Sequence, residues 1–247
     1  INAALINSQH VGRPGHSSTI LGVKTDEYSI SIPPQSLPVL PFSTTVDGTG
    51  MTFELVSATS LNQDYIYEVP PAPRGLFNIL YRNDNLGYGS PNTGFFIYFK
   101  QGTLKNYDFS FDQQISNQLV DINIQGVNNT DTWLYQLDTL TNSLTEWAAV
   151  DSVFSNYNTQ ANAGSRKVFS VVSRFNDQVS YSFGDGVFSQ IPVGTFRAYV
   201  RAGNSLQYSI DPAEMSAVSI ALNYVSRVGR TETLTVNLSL VLSVKKT

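Results

Sequence analysis

The chain has 247 residues, of which 41% are hydrophobic and 14% are charged, and its 15 basic and 19 acidic side chains leave a net charge of −4. This hydrophobic fraction excludes wholesale disorder, and the length is sufficient for one large β domain or two smaller ones. The absence of cysteine excludes disulfides and thiolate metal sites, and no apolar run approaches the roughly 18 residues of a membrane span.

The charges are unevenly distributed along the chain. Residues 1–164 contain 6 basic and 14 acidic side chains, whereas residues 165–247 contain 9 basic and 5 acidic ones. Nucleic-acid binding needs one dense basic face, so this pattern argues against it. Opposite charges favour assembly between protein subunits. The same counts would also arise if the two charged regions were ordinary surfaces with no binding role.

The first candidate site is the pair His10 and His16, six residues apart in a stretch rich in glycine and proline. A zinc site needs a third and a fourth ligand, and the sequence nominates none. A flexible or partner-covered segment is the better interpretation. We therefore predict no metal and no cofactor.

Short runs that alternate apolar and polar residues follow, and they predict an all-β chain with little helix. The predicted strands are Met51–Ser57, Tyr65–Val69, Leu76–Tyr81, Gly94–Lys100, Leu119–Ile124 and Thr132–Leu137. Two proline-rich segments, Pro33–Pro41 and Pro70–Pro73, cannot be central strands because proline donates no backbone hydrogen bond. We expect these two segments to be stiff joints between β units.

The chain is expected to form two β subdomains, sandwich-like or built of mixed sheets, comprising residues 1–113 and 114–247. The clearest pattern is near the end, where alternation over residues 218–224 and 234–244 predicts a long hairpin joined at Gly229. Just before it, Asp211-Pro212-Ala213-Glu214 has the form of a helix start and predicts a single helical turn. Because the chain starts at Ile1 and the strand pattern stops at Lys245, we expect a piece of a longer polypeptide.

The segment Gly184-Asp185-Gly186 lies between alternating apolar residues and is followed by Pro192. Asp-Gly in this setting is a strong hairpin signal, because glycine tolerates the positive φ of the turn. A phosphate-binding loop would need further glycines or a Lys with a helix after it, and a calcium site would need more oxygen ligands than Asp185. We predict a structural hairpin turn that is neither catalytic nor ligand-binding.

Two carboxylate pairs are candidates for acid–base chemistry. Asp108 with Asp112, or Glu54 with Glu68, could act in glycoside hydrolysis if the fold brought the carboxyl groups within about 5 to 10 Å of each other. Solvated side chains are the better interpretation. Acyl transfer is disfavoured as well, since the sequence has no Gly-x-Ser-x-Gly elbow.

Aromatic residues are candidates for sugar binding. Trp133 and Trp147, with Tyr135, could serve as stacking platforms. One face of a strand is usually core, however, and burial of an aromatic side chain is strongly favourable. Core positions are therefore the better interpretation.

A set of short elements between residues 147 and 204 resembles the baseplate J-like and baseplate wedge proteins of contractile-tailed bacteriophages. Those families show Trp-x-x-Val-Asp, then a strand, then Phe-Gly-Asp-Gly-Val-Phe/His-Gly-x-x-Pro, and then a strand with an Arg that ends in Gly-Asn. The matching residues are Trp147, Val150, Asp151, Phe183, Gly184, Asp185, Gly186, Pro192, Arg201, Gly203 and Asn204. Ser189 departs from the pattern, because many relatives have glycine there. The first 110 residues carry no such resemblance.

The resemblance implies a structural protein that assembles with copies of itself, as a homodimer or higher oligomer, and with other baseplate wedge proteins into the ring around the tail tube. It implies a place in the virion tail baseplate after assembly in the host bacterial cytoplasm. It implies no reaction, cofactor, small-molecule ligand, nucleic acid or membrane. The alternatives are a receptor- or carbohydrate-binding module of a tail spike or fibre, which needs exposed aromatic residues, and a glycan-cleaving enzyme, which needs two facing acids.

Overall fold

A computed structural model describes residues 16–20, 23–60, 66–86, 94–154, 166–204, 206, 208–216 and 218–238. Their secondary structure is almost entirely β, which confirms the predicted fold class. The chain forms two compact units. Unit 1 comprises residues 1–101 and 207–247, and unit 2 comprises residues 102–206.

The strands are β1 His16–Ile20, β2 Val23–Ser31, β3 Val39–Val46, β4 Thr49–Val56, β5 Ala58–Thr59, β6 Tyr67–Glu68, β7 Leu76–Arg82, β8 Gly94–Phe96, β9 Phe99–Gln101, β10 Thr103–Phe111, β11 Leu119–Ile122, β12 Val127–Leu137, β13 Leu144–Ala149, β14 Val168–Ser173, β15 Val179–Ser182, β16 Gly194–Ala202, β17 Ser219–Val225 and β18 Thr231–Asn237. Helical structure is limited to a 3-10 turn at Phe175–Asp177 and one α-turn, α1, at Pro212–Met215. In the described part of the chain, no helix combines the length and apolar character that a membrane crossing requires.

Unit 1 is built of small antiparallel sheets in the orders β1-β2-β7-β8, β3-β4-β9, β5-β6 and β17-β18. Alternate residues of these strands point into one core, because successive side chains of a strand face opposite sides. Phe42 and Phe53 stack there with their ring centroids 5.6 Å apart. Ile220 and Leu222 of β17 lie in the same core.

The C-terminal hairpin of unit 1 confirms the prediction from periodicity. β17 and β18 pair antiparallel, and Leu222 lies opposite Leu234. The turn is closed by the amide of Ser226, which donates to the carbonyl of Arg230 at 2.8 Å, and Gly229 adopts a φ of +78°. The part of the predicted strand beyond residue 238 lies outside the described residues.

The predicted helical turn is also confirmed. Asp211 precedes α1 and forms a capping box with Glu214, whose Oε2 accepts the amide of Asp211 at 2.8 Å. The other oxygen of Glu214 accepts the amide of Asp47 at 2.9 Å. The turn is thus tied to the β3–β4 connection of unit 1.

Unit 2 contains one strongly curved, nearly closed sheet of seven strands in the order β10-β16-β12-β13-β14-β15-β11. All pairs are antiparallel except β13 with β14. Its core is rich in aromatic rings: the Trp147 ring lies 5.3 Å from that of Phe196 and 5.8 Å from that of Phe183, both edge to face. Such pairs add about 0.5 to 1.5 kcal/mol beyond the burial of their area.

The predicted boundary at residues 113 and 114 is wrong. β10 belongs to unit 2, and the C-terminal hairpin belongs to unit 1 because its apolar face packs into that core. The difference in charge between residues 1–164 and residues 165–247 does not correspond to the two units either. Unit 1 carries 9 basic and 10 acidic residues, and unit 2 carries 6 and 9.

Most predicted strands are present, but two differ. The segment Gly94–Lys100 is interrupted and forms β8 and β9, which pair with different sheets. Tyr65–Val69 reduces to the two residues of β6, with Tyr65 outside the described residues. The proline segments Pro33–Pro41 and Pro70–Pro73 both lie within unit 1, where they connect strands of different sheets, so their role as stiff joints stays a prediction about the sheets of that unit.

Candidate interaction site

The segment Gly184-Asp185-Gly186 starts a loop that follows β15 and leads into β16. The carboxylate Oδ1 of Asp185 accepts the amide of Val187 at 2.8 Å, and the amide of Gly186 donates to the carbonyl of Ser189 at 3.1 Å. Gly186 has a φ of +90°, a region that residues with a Cβ rarely adopt. These contacts hold the loop in one conformation.

The loop is not a hairpin, so this part of the prediction is wrong. β15 pairs with β11 and β14, whereas β16 pairs with β10 and β12. Residues 183–193 therefore connect strands that are not neighbours, and this connection is much longer than the two residues of a tight hairpin. The Asp-Gly pattern reports the conformation of the bend but does not determine which strands pair.

Gly184 is required by a close approach of Ser189. A Cβ at residue 184 would overlap the Ser189 Oγ and would lie 2.8 Å from its Cβ. Ser189 is completely buried, and its hydroxyl has no hydrogen-bond partner among the described residues. The loop therefore folds back on its own first residue.

Two other segments are held against the loop. The amide of Asn117 donates to the carbonyl of Gly184 at 3.1 Å, and the amide of Phe183 donates to the carbonyl of Gln118 at 2.9 Å. From the other side, the carbonyl of Val153 lies 3.5 Å from where a Cβ of Gly184 would be. The segments around residues 116–118 and 153 thus meet at the loop.

Arg166 clamps the tip of the loop. Its Nη2 donates to the carbonyls of Gly186 and Val187, the latter at 2.9 Å, and its own carbonyl accepts the amide of Gln190 at 2.7 Å. The side chain is solvent-exposed, and no carboxylate in the described part of the chain forms an ion pair with it. Arg166 therefore presents a positive charge at a fixed position.

The loop and the segments that contact it carry exposed apolar side chains. Each of them lies in the loop or next to a residue that contacts it, and each is 47% to 70% exposed: Ile115, Leu119, Phe154, Val187 and Phe188. We call these five residues the apolar loop surface. Concentrations of exposed apolar side chains mark interaction sites in folded proteins.

Arg201, one of the residues that carry the motif resemblance, is buried and is not exposed to a binding partner. It is 1% exposed, and its Nη1 lies 3.7 Å from the Oδ2 of Asp131, which is buried as well. Its guanidinium lies 5.7 Å from the ring centre of Trp133. A buried arginine held between a carboxylate and an aromatic ring has a structural role.

The other motif residues occupy varied positions. Trp147 and Phe183 lie in the core, Pro192 is buried, Val150 is partly buried, and Asp151 is exposed. Near the end of β16, the amide of Gly203 donates to the carbonyl of Gly126 at 2.8 Å, and the exposed Asn204 accepts the amide of Leu206 at 3.2 Å. The motif residues are spread over unit 2 and do not converge on one site.

Residues 1–243 match the family described as "Domain of unknown function (DUF8360)". The chain belongs to this family. No curated protein matches the chain, and no solved structure matches it. The function of this family member is therefore inferred from the geometry of its loop and surface.

The candidate carboxylate pair Glu54 and Glu68 lies beside one basic residue, Lys100. Lys100 lies 2.9 Å from the Oε2 of Glu68, and it is the cross-strand partner of the buried Glu54. Glu54 is buried and Glu68 is held in an ion pair, so neither is the solvated side chain expected from the sequence.

Asp108 is likewise engaged by a basic residue. The guanidinium of Arg197 donates to both oxygens of its carboxylate, at 2.8 and 2.7 Å, and this contact raises the pKa of Arg197. Asp112 is exposed beyond the end of β10. The structure assigns Asp108 to a bidentate ion pair rather than to a pair with Asp112.

The remaining candidates are placed as follows. Trp147 is buried, Trp133 is partly buried against Arg201, and Tyr135 is buried. His10 lies outside the described residues, and His16 begins β1. Over the described ranges, no group of three or more His, Cys, Asp or Glu side chains is arranged to hold a metal.

The sequence did not reveal Arg166 or the exposed side chains. One signal was available: Val187 and Phe188 are adjacent, so in an extended segment they cannot both face the same core. Arg166 binds carbonyl groups about 20 residues away in the sequence. No local sequence pattern predicts such a contact.

Proposed function

We propose that the chain is a structural protein that assembles with copies of itself and with other proteins through the apolar loop surface. The motif resemblance names the assembly as the baseplate wedge of a contractile-tailed bacteriophage. The proposed location is the virion tail baseplate, after assembly in the host bacterial cytoplasm. The observation that carries this proposal is the set of five exposed apolar side chains in, or next in sequence to residues that contact, a loop fixed by Arg166.

The energetics favour burial of this surface by a partner. Complete burial of one large apolar side chain contributes about 1.5 to 3 kcal/mol, so five half-exposed ones contribute several kcal/mol together. The loop is already ordered by its internal hydrogen bonds, so little conformational entropy is lost on binding. Aromatic residues and arginine together are also the typical composition of an interface centre.

The alternatives receive less support. A carbohydrate-binding module would need exposed aromatic platforms, but Trp147 lies in the core and Trp133 is partly covered. A glycan-cleaving enzyme would need two facing acids, but Glu68 and Asp108 are each held by a basic residue.

Sedimentation velocity of the purified chain and of variants tests the proposal. The double variant Val187→Ser, Phe188→Ser is expected to weaken self-association at least about tenfold, because interface centres lose more than about 1 kcal/mol on truncation. The matched control is Leu86→Ser, Val228→Ser, which removes two similarly exposed side chains from unit 1. Equal association of the wild type and the double variant would contradict the proposed role of this surface.

A further inference from the structure

The apolar loop surface contains a cation that is held in place but not neutralised. Two carbonyl groups fix the guanidinium of Arg166 beside Val187, and both carbonyls are uncharged. Arginine presents five donors in a rigid fork that matches a carboxylate. The chemistry that would complete this site is a carboxylate next to apolar side chains.

The tip of the β12–β13 hairpin has that chemistry. Leu140 is 93% exposed there, and the carboxylate of Asp138 is fixed by accepting the amides of Leu140 at 2.9 Å and Thr141 at 3.3 Å. These hydrogen bonds, that from Leu140 first, hold the pKa of Asp138 below its usual value. The tip therefore carries a negative charge at neutral pH next to a protruding apolar side chain.

The hairpin tip and the loop emerge at the same end of the unit 2 sheet. Leu137, at the end of β12, lies opposite Thr195, near the start of β16. The side-chain amide of Gln136 donates to the carbonyl of Val193, the last residue of the loop, at 2.8 Å. In a two-fold dimer formed at this end, the loop of each copy would contact the hairpin tip of the other copy.

We propose that the apolar loop surface of one copy receives the hairpin tip of a second copy of this chain, with Arg166 of each copy paired with Asp138 of the other and Leu140 packed beside Phe188. This inference rests on the proposed function and specifies its first partner. The opposite charges of Arg166 and Asp138 favour the second copy as the occupant, since they supply both halves of the contact. An acidic segment of another protein would supply a carboxylate for Arg166 but no cation for Asp138.

Charge reversal tests the contact with two variants, Arg166→Asp and Asp138→Arg. Each variant alone places like charges at the interface and is expected to dimerise at least about tenfold more weakly than the wild type. An equal mixture of the two places opposite charges at both contacts, so dimerisation is expected to return. The matched control is Asp84→Arg, because Asp84 accepts the amide of the exposed Leu86 in unit 1, as Asp138 does that of Leu140.

Disulfide trapping tests the position without altering the charges. The chain has no cysteine, so a mixture of Leu140→Cys and Phe188→Cys chains should form a mixed disulfide dimer under mild oxidation. Leu86→Cys in place of Leu140→Cys is the control and should not trap a dimer. Circular dichroism of every variant separates a lost interface from a lost fold.

The outcomes separate this inference from the proposed function. Restoration by mixing, together with trapping between residues 140 and 188, supports both. If both charge-reversal variants self-associate as strongly as the wild type and no dimer is trapped, this contact is wrong. The proposed function would then still stand. A wild type that stays monomeric at every concentration contradicts both.

Discussion

Gly184 and Ser189 are so close that the space between them allows only one side chain. Replacement of Gly184 by Ala places a Cβ within bonding distance of the Ser189 hydroxyl, so Gly184→Ala should lower the free energy of unfolding by about 2 to 4 kcal/mol. The additional change Ser189→Gly removes the clashing atoms and should restore part of this loss. Chemical denaturation of both variants measures the effect.

The control at this position is Ser189→Ala in the wild-type background. It removes a buried hydroxyl without a partner, which costs about 1 to 3 kcal/mol to bury. Ser189→Ala should therefore be at least as stable as the wild type. If Gly184→Ala were as stable as the wild type, the close approach described here would be incorrect.

At the scale of the element, the β17–β18 hairpin is held by a cross-strand hydrogen bond between Tyr224 and Glu232. The Tyr224 hydroxyl donates to the Oε2 of Glu232 at 2.6 Å, which raises the pKa of Tyr224 to about 12. The folded state thus binds this proton more tightly than the unfolded state. The resulting stability is fully present below about pH 10 and is lost as the pH rises through about 12.

The variant Tyr224→Phe tests this hydrogen bond. At pH 7 it should unfold with a free energy lower by about 0.5 to 1 kcal/mol, since the lost bond is to a charged acceptor that is itself exposed to water. Between about pH 10 and 12 the difference between wild type and variant should shrink. Thermal melts at several pH values measure this, and a difference that stays constant over that range would argue against the contact.

Two bends containing glycine show how far strands can be predicted from the sequence. The bend at Gly229 forms a hairpin because both flanking strands carry long apolar faces that pack on one core. The bend at Gly186 has equally good local signals, but β16 pairs with β10 and β12 rather than with β15. Local backbone conformation was predictable at both bends, whereas strand pairing depended on distant partners.

At the scale of the whole molecule, the all-β class and the existence of two units followed from periodicity and length, but the boundaries did not. The C-terminal hairpin returns to unit 1 because Ile220 and Leu222 complete the core formed by earlier strands such as β4. A core is a three-dimensional property, so composition along the chain does not reveal which segments share it. The interaction site escaped prediction for the same reason, as Arg166 and Val153 reach the loop only in the folded unit.

The central claim is that the end of unit 2 that carries the apolar loop surface is buried by self-association. Multi-angle light scattering of the intact chain from about 1 to 100 µM tests it most directly. The mass is expected to rise from that of the 27.2 kDa monomer toward at least a dimer. A mass that stays at 27.2 kDa over the whole range would contradict the account.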